Sequence, residues 1–141
     1  MKITVEWLKK HDACGPGIRE FEDWLIELDT DAVEVTAENL LLADLVGLDV
    51  EWFIATFRMD EQVILATGNP NWAVDYADTY GASPALRALA LRTPRGAYRW
   101  ACCGDRGPAD DTRAKACEDP KYAMWYAEDV DRPAATTTTQ T

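Results

Sequence analysis

Apolar and polar positions follow one another along this chain with the period of an α-helix, and in its second half one pattern is written three times. Asn69-Pro70, Thr93-Pro94 and Asp119-Pro120 are each followed by an alanine three residues after the proline, an aromatic ring at six and an alanine at seven: Ala73, Tyr76 and Ala77; Ala97, Trp100 and Ala101; Ala123, Tyr126 and Ala127. The residue before each proline carries a side-chain oxygen that can accept the free N–H groups of a first helical turn, where proline needs no donor. The alanines and the ring then share one helix face, the small residues allowing close approach and the ring filling the gap. The prolines stand 24 and 26 residues apart, a period that suits stacked helix pairs. Ser83-Pro84 predicts the partner helix of the first pair, with Leu86, Leu89 and Ala90 on one face. Asp110 or Asp111 predicts that of the second, and a third, unpaired helix ends before Pro133.

Upstream the elements are shorter. Thr4 predicts the cap of a helix carrying Trp7 and Leu8, with an edge strand over 2–5 as the alternative. Ile18, Phe21, Leu25 and Leu28 step by three, four and three, which is one face of a helix over about 16–28. Its opposite face carries Glu20, Glu22, Asp23 and Glu27, and Trp24 is expected at the half-exposed edge of the stripe. Val33 and Val35 favour extended backbone. Thr36 predicts a helix to about Val46 that Gly47 stops, and its Leu40-Leu41-Leu42 run points to burial on most sides. Asp49 predicts a helix bearing Trp52, Phe53 and Phe57, and Asp60 one through Val63, Ile64 and Leu65 that ends near Gly68. The expected fold class is all-α. An acidic helical N-terminal part, 1–68, is continuous with a short, α-solenoid-like array of antiparallel helix pairs, 69–132, in one compact domain, and a threonine-rich tail, 133–141, is expected to be disordered.

Composition makes this fold affordable. A chain of 15.7 kDa with 48% apolar residues and six Trp can bury roughly two-thirds of its unfolded surface, so a core needs no metal or disulfide. No apolar run approaches the ~20 residues that cross a bilayer, and the polar first six residues do not read as a signal peptide. A soluble, cytoplasmic protein is expected. Charge changes the picture further. Residues 1–66 hold fifteen Asp/Glu against five Lys/Arg, a net −10, whereas 67–141 hold ten against nine, a net −1. An acidic half disfavours direct contact with nucleic acid and favours a basic partner, or mimicry of nucleic acid towards a protein that binds it.

Candidate chemistry is sparse. His11, the only histidine, has no serine near it, and Ser83, the only serine, is a helix cap. No P-loop, dinucleotide fingerprint or metallohydrolase histidine pair is present. His11, Cys14, Cys102, Cys103 and Cys117 contain enough donors for zinc, but no second closely spaced pair completes a finger. The cysteines, Cys14 included, read as small apolar core residues, and no cofactor or metal is expected. Arg87, Arg92, Arg95 and Arg99 form the one basic cluster, read as pairing with the acidic half, or with Asp75 and Asp78 on the neighbouring helix, in preference to phosphate. Tyr98 and Trp125 fall off the shared repeat face and are candidates for an exposed contact surface.

The three proline-led copies resemble the Pro-x-x-Ala-x-x-Tyr-Ala helical repeats of bacteriophage and prophage proteins. The segment Trp7-Leu8, Ala13-Cys14, Phe21, Val35-Thr36, Leu48-Asp49 and Trp52 is similar to a leader that precedes such repeats. Gly96 departs from the family pattern, which has a bulky residue before that alanine. The resemblance implies a helical architecture and a phage context, hence the cytoplasm of a bacterial host, and carries over no site. Together with the acidity it leads to a non-catalytic inhibitor of a bacterial defence system, anti-CRISPR or anti-restriction. Glu20, Glu22, Asp23, Glu27, Asp29, Asp31, Glu34 and Glu38, with Trp24, Tyr98 and Trp125, are the expected contact residues, and the expected partner is a basic nucleic-acid-binding protein, with no membrane and no direct nucleic acid. The alternatives are an immunity or antitoxin-like protein that caps a basic toxin, a zinc or redox-cysteine protein, and a virion or scaffold component.

Overall fold

Ten α-helices, a closing π-helical turn and one two-stranded sheet make up residues 1–131, which the computed structural model describes. The protein is all-α, and the tail expected over 133–141 lies outside the described residues. The chain divides into two compact units, the first Met1–Thr67 and the second beginning at Gly68.

The first unit runs β1 (Lys2–Ile3), α1 (Val5–Lys10), α2 (Gly15–Leu28), β2 (Val33–Glu34), α3 (Ala37–Leu45), α4 (Val50–Thr56) and α5 (Glu61–Thr67). Both readings of the N-terminus hold. Residues 2–3 pair antiparallel with β2, Lys2 opposite Glu34 and Ile3 opposite Val33. Thr4 then caps α1, the Trp7 N–H donating to its Oγ1 at 3.1 Å. Thr36 and Asp49 cap α3 and α4 in the same way, receiving the N–H groups of Asn39 and Trp52. Ile3, Leu8, Phe21, Trp24, Leu25 and Val33 form the buried core, with Trp7, Trp52 and Phe53 packed against it.

Two expectations are overturned here. Trp24 is buried at 6% exposure, while Leu28 is 44% exposed. The apolar face of α2 is centred on Phe21, Trp24 and Leu25, at i, i+3 and i+4. Leu28 lies in the last turn, beside Asp29, whose left-handed φ of 54° ends the helix. The leucine run of α3 is also mostly bare: only Leu40 is buried, and Leu41, Leu42, Leu45 and Val46 are exposed. Three successive leucines point in three directions about 100° apart, and α3 packs on α4 and α5, which cover only one of those directions.

The second unit comprises α6 (Pro70–Tyr80), α7 (Pro84–Ala90), α8 (Pro94–Cys103), α9 (Asp110–Ala116), α10 (Pro120–Tyr126) and the π-helical turn Ala127–Asp131. Pro70, Pro84, Pro94 and Pro120 sit in the first turns of α6, α7, α8 and α10, each behind a cap. Asn69 receives the N–H groups of Asn71 and Trp72, Ser83 that of Leu86, Thr93 that of Gly96, and Asp119 that of Lys121. The shared face is buried in the first two copies through Ala73, Tyr76, Ala77, Ala97, Trp100 and Ala101. In the third copy the ring of Tyr126 is buried but Ala123 is half-buried and Ala127 exposed. Helix α8 is the centre, packed against α6, α7, α9 and α10.

Gly96 explains itself in this setting. A Cβ there would lie 2.0 Å from the Ala90 carbonyl oxygen, so α8 meets the end of α7 backbone to side-chain-free backbone. The start of α9 lacks a side-chain cap of its own, because Ala109 stands at that position. Tyr126 ties that position to α10: its hydroxyl receives the Ala109 N–H at 3.0 Å and shares a 2.7 Å hydrogen bond with the fully buried Thr112 hydroxyl.

Candidate functional site

Glu20, Glu22, Asp23, Glu27, Asp29, Asp31, Glu34 and Glu38 are all exposed, spread over α2, the turn after it, β2 and the first turn of α3. Glu20, Asp23 and Glu27 lie three and four residues apart, on one face of α2. With the edge of Trp24 and with Val46 they line a shallow hollow. The carboxylates that the sequence singles out are therefore brought against an apolar side chain from the end of α3. Within reach of the same segments stand Ile26, 76% exposed, and Leu45, 82% exposed. Glu34 meets the N-terminal amine at 3.6 Å, an exposed pair of the kind that contributes little.

The mixture of acid and exposed leucine is what composition alone did not disclose. Residues 20–38 read as a purely charged surface. Val46 adds an apolar component beside it, and Leu41, Leu42 and Leu45 are exposed on the same helix; the only signal for them was a leucine run longer than one buried stripe can use.

Tyr98 and Trp125 do come together, with ring centroids 5.8 Å apart, and Tyr122 completes the group at 6.0 Å from Tyr98 and 5.4 Å from Trp125. Lys121 lies 4.7 Å above the Trp125 ring. The three rings are half-buried on one another, and the Tyr98 hydroxyl donates to Asp129. Burial, then this hydrogen bond to a carboxylate, pushes the Tyr98 phenol well above its ordinary range. The group is a packed joint between α8 and α10 with one exposed edge, and Trp24, the third aromatic candidate, is core.

Two of the four arginines of the basic cluster are paired with carboxylates. Arg99 meets Asp75 at 2.6 Å. Arg87 makes a fork to Asp105 and Asp111, at 2.9 and 2.8 Å, and Asp105 also receives the Trp100 indole N–H at 2.8 Å. Arg87 holds the Asp111 carboxyl down to about 2. Arg113 similarly lowers Asp131, at 2.8 Å. Arg92 and Arg95 remain exposed.

The cysteines do not behave alike. Cys14 and Cys117 are exposed, contrary to a core role, and Cys14 caps α2 by receiving the Gly17 N–H on sulfur at 3.4 Å. Cys102 and Cys103 are half-buried, and burial raises both thiols, the carboxylate of Asp78 adding to it for Cys103. His11 stacks on Trp7 at 4.0 Å with its Nδ1 2.8 Å from the Trp7 carbonyl oxygen. Among the described residues no three His, Cys, Asp or Glu side chains are grouped to hold a metal ion, and no helix is long and apolar enough to cross a membrane.

No family model matches this chain, and neither a curated protein nor a solved structure does.

Proposed function

We propose that the chain is a non-catalytic binding protein whose first unit occupies the nucleic-acid-binding surface of a basic partner. The observation that carries this reading is the hollow in which the exposed carboxylates of Glu20, Asp23 and Glu27 meet the exposed Val46 at the end of α3. Charges of one sign steer a basic partner into place and discriminate against others, while desolvated apolar side chains give the affinity that solvent-exposed ion pairs lack. A surface made of both suits a protein that must outcompete a polyanion for a cationic groove. The resemblance of the repeats to those of phage proteins directs this reading to a bacterial defence system, with the chain as an anti-CRISPR or anti-restriction inhibitor in the host cytoplasm. The acidic surface is preferred to the aromatic group because Tyr98, Tyr122 and Trp125 pack on one another and are half-buried.

The test is the plating efficiency of a phage restricted by a CRISPR or restriction–modification system, in cells that express the chain. Plating should rise with the native chain and not with a variant in which Glu20, Asp23, Glu27 and Glu38 are replaced by Lys. Equal protection by the two proteins would remove the acidic surface from the mechanism.

A further inference from the structure

One helix of the first unit carries apolar side chains on both of its sides. Leu40 is buried and Ala43 packs against the core, so α3 turns the side of these two inward. Leu41, Leu42 and Leu45 are exposed, and their positions fall within about 100° of one another on the opposite side. Leu41 and Leu45 stand one turn apart, as i and i+4, and Leu42 and Leu45 as i and i+3. Val46, exposed at the end of the helix, continues the patch towards α2, where it shares a hollow with Glu20, Asp23 and Glu27. Single exposed apolar residues need no explanation, whereas a contiguous patch marks a contact surface.

Charge decides what kind of molecule covers it. Residues 20–57 hold eleven Asp/Glu and no Lys, Arg or His, and α3 and α4 lie wholly within that stretch. On α3 itself Glu38 stands three residues before Leu41, and Asp44 three residues after it, both exposed. A second copy would bring the same sign of charge to this face, and nucleic acid or an anionic membrane would bring phosphates, so all three are repelled. A cationic protein segment is attracted. An amphipathic helix presents Leu or Ile anchors at i, i+3, i+4 and i+7 with Lys or Arg beside them, which matches a ridge one turn long. An added strand would need a sheet edge, and both strands of the first unit are only two residues long.

We propose that the outer face of α3 is the docking site for a basic amphipathic helix of a protein partner. The apolar stripe of that helix lies on Leu41, Leu42 and Leu45, and its Lys or Arg side chains lie beside Glu38 and Asp44. The site rests on the first unit being the surface for a basic partner, and the helix is the form in which that partner's charge arrives. The leucines supply the affinity and the carboxylates the orientation.

The experiment is a titration of the full chain, labelled with ¹⁵N, with a synthetic peptide about four turns long, made of equal numbers of Leu and Lys with Leu at helical spacing. Amide shifts should concentrate in 37–46. The same residues in alternating order, which suits a strand, should bind about tenfold more weakly or less. Leu41→Ser with Leu45→Ser should weaken the helical peptide about tenfold at unchanged charge. Should that variant fail to fold, Glu38→Lys with Asp44→Lys, two exposed side chains of which neither caps a helix, should weaken it by a similar factor. Equal binding of the two peptides, undiminished binding to a folded variant, or shifts centred outside α3 would overturn the assignment. So would a dimer of the chain alone, seen by sedimentation and shifting the same amides, since a second copy would then cover α3. Loss of plating protection with the peptide result intact falls on the defence-system reading alone.

Discussion

A methyl group at position 96 would stand 2.0 Å from the Ala90 carbonyl oxygen, far inside the contact distance of carbon and oxygen, so the backbones of α7 and α8 must part to admit it. Gly96→Ala should cost about 1–3 kcal/mol, the usual range for overpacking, whereas Gly107→Ala, whose Cβ meets open space, should stay within about 0.5 kcal/mol; urea denaturation of the pair decides. Tyr126→Phe removes the hydroxyl that receives the Ala109 N–H and meets Thr112. Leaving those groups short of a partner should cost about 1–3 kcal/mol, read as a lower urea midpoint with unchanged slope. Acid acts on the second unit through Asp111 and Asp131. Their folded carboxyls titrate below the ordinary value of 3.8, Asp111 at about 2, so the stability they contribute is complete above pH 3.8 and fades as pH falls towards 2. Both are well exposed, which limits each contribution to about 1 kcal/mol. Stability measured from pH 5 to 2 should fall less steeply in Asp111→Asn than in the native chain, and an identical slope would show that Arg87 does not hold that carboxylate.

At the scale of elements, the leucines of α3 separate folding from binding. Leu41→Ser with Leu45→Ser changes side chains that are 45% and 82% exposed, so the melting temperature should barely move while protection against restriction falls; a collapse of stability would mean that these side chains are core after all. Which elements form was largely legible in the sequence, because Thr4, Thr36, Asp49, Asn69, Ser83, Thr93 and Asp119 cap their helices through chemistry local to four or five residues. Which faces they bury was less so. Trp24 and Leu28 lie four residues apart on α2 and compete for the same stripe, and the packing of distant segments decided for Trp24. The Leu40–Leu42 run has no period, so nothing in it says which leucine meets α5. The pairing of β1 with β2 joins residues thirty apart in sequence, and an apolar groove in the first unit collects side chains from Ile3 to Phe53; neither relation is written in any local window. Tyr98 and Trp125 were identified by their offset from the repeat face, but Tyr122 and Lys121, which complete their group, give no sign until α10 is laid on α8.

Across the whole molecule, charge and packing are distributed to different ends. The second unit, nearly neutral, pairs Arg87, Arg99 and Arg113 with Asp75, Asp105, Asp111 and Asp131 and commits most of its aromatic rings to helix contacts. The first unit, at −10 over residues 1–66, leaves its carboxylates in solvent and its α3 leucines uncovered. Self-repulsion on that scale does not help folding and is tolerable where a partner of opposite sign supplies the return. Binding to such a partner should weaken steeply with salt, since attraction between solvent-exposed charges is screened beyond ~8 Å at physiological ionic strength and over shorter distances as salt rises. The direct measurement is a competition titration: a purified CRISPR effector or restriction enzyme holding a fluorescent DNA duplex, with anisotropy followed as the chain is added. Displacement of the duplex by the native chain, lost when Glu20, Asp23, Glu27 and Glu38 are replaced by Lys, is the expected result, and displacement that survives those four replacements undiminished would contradict it.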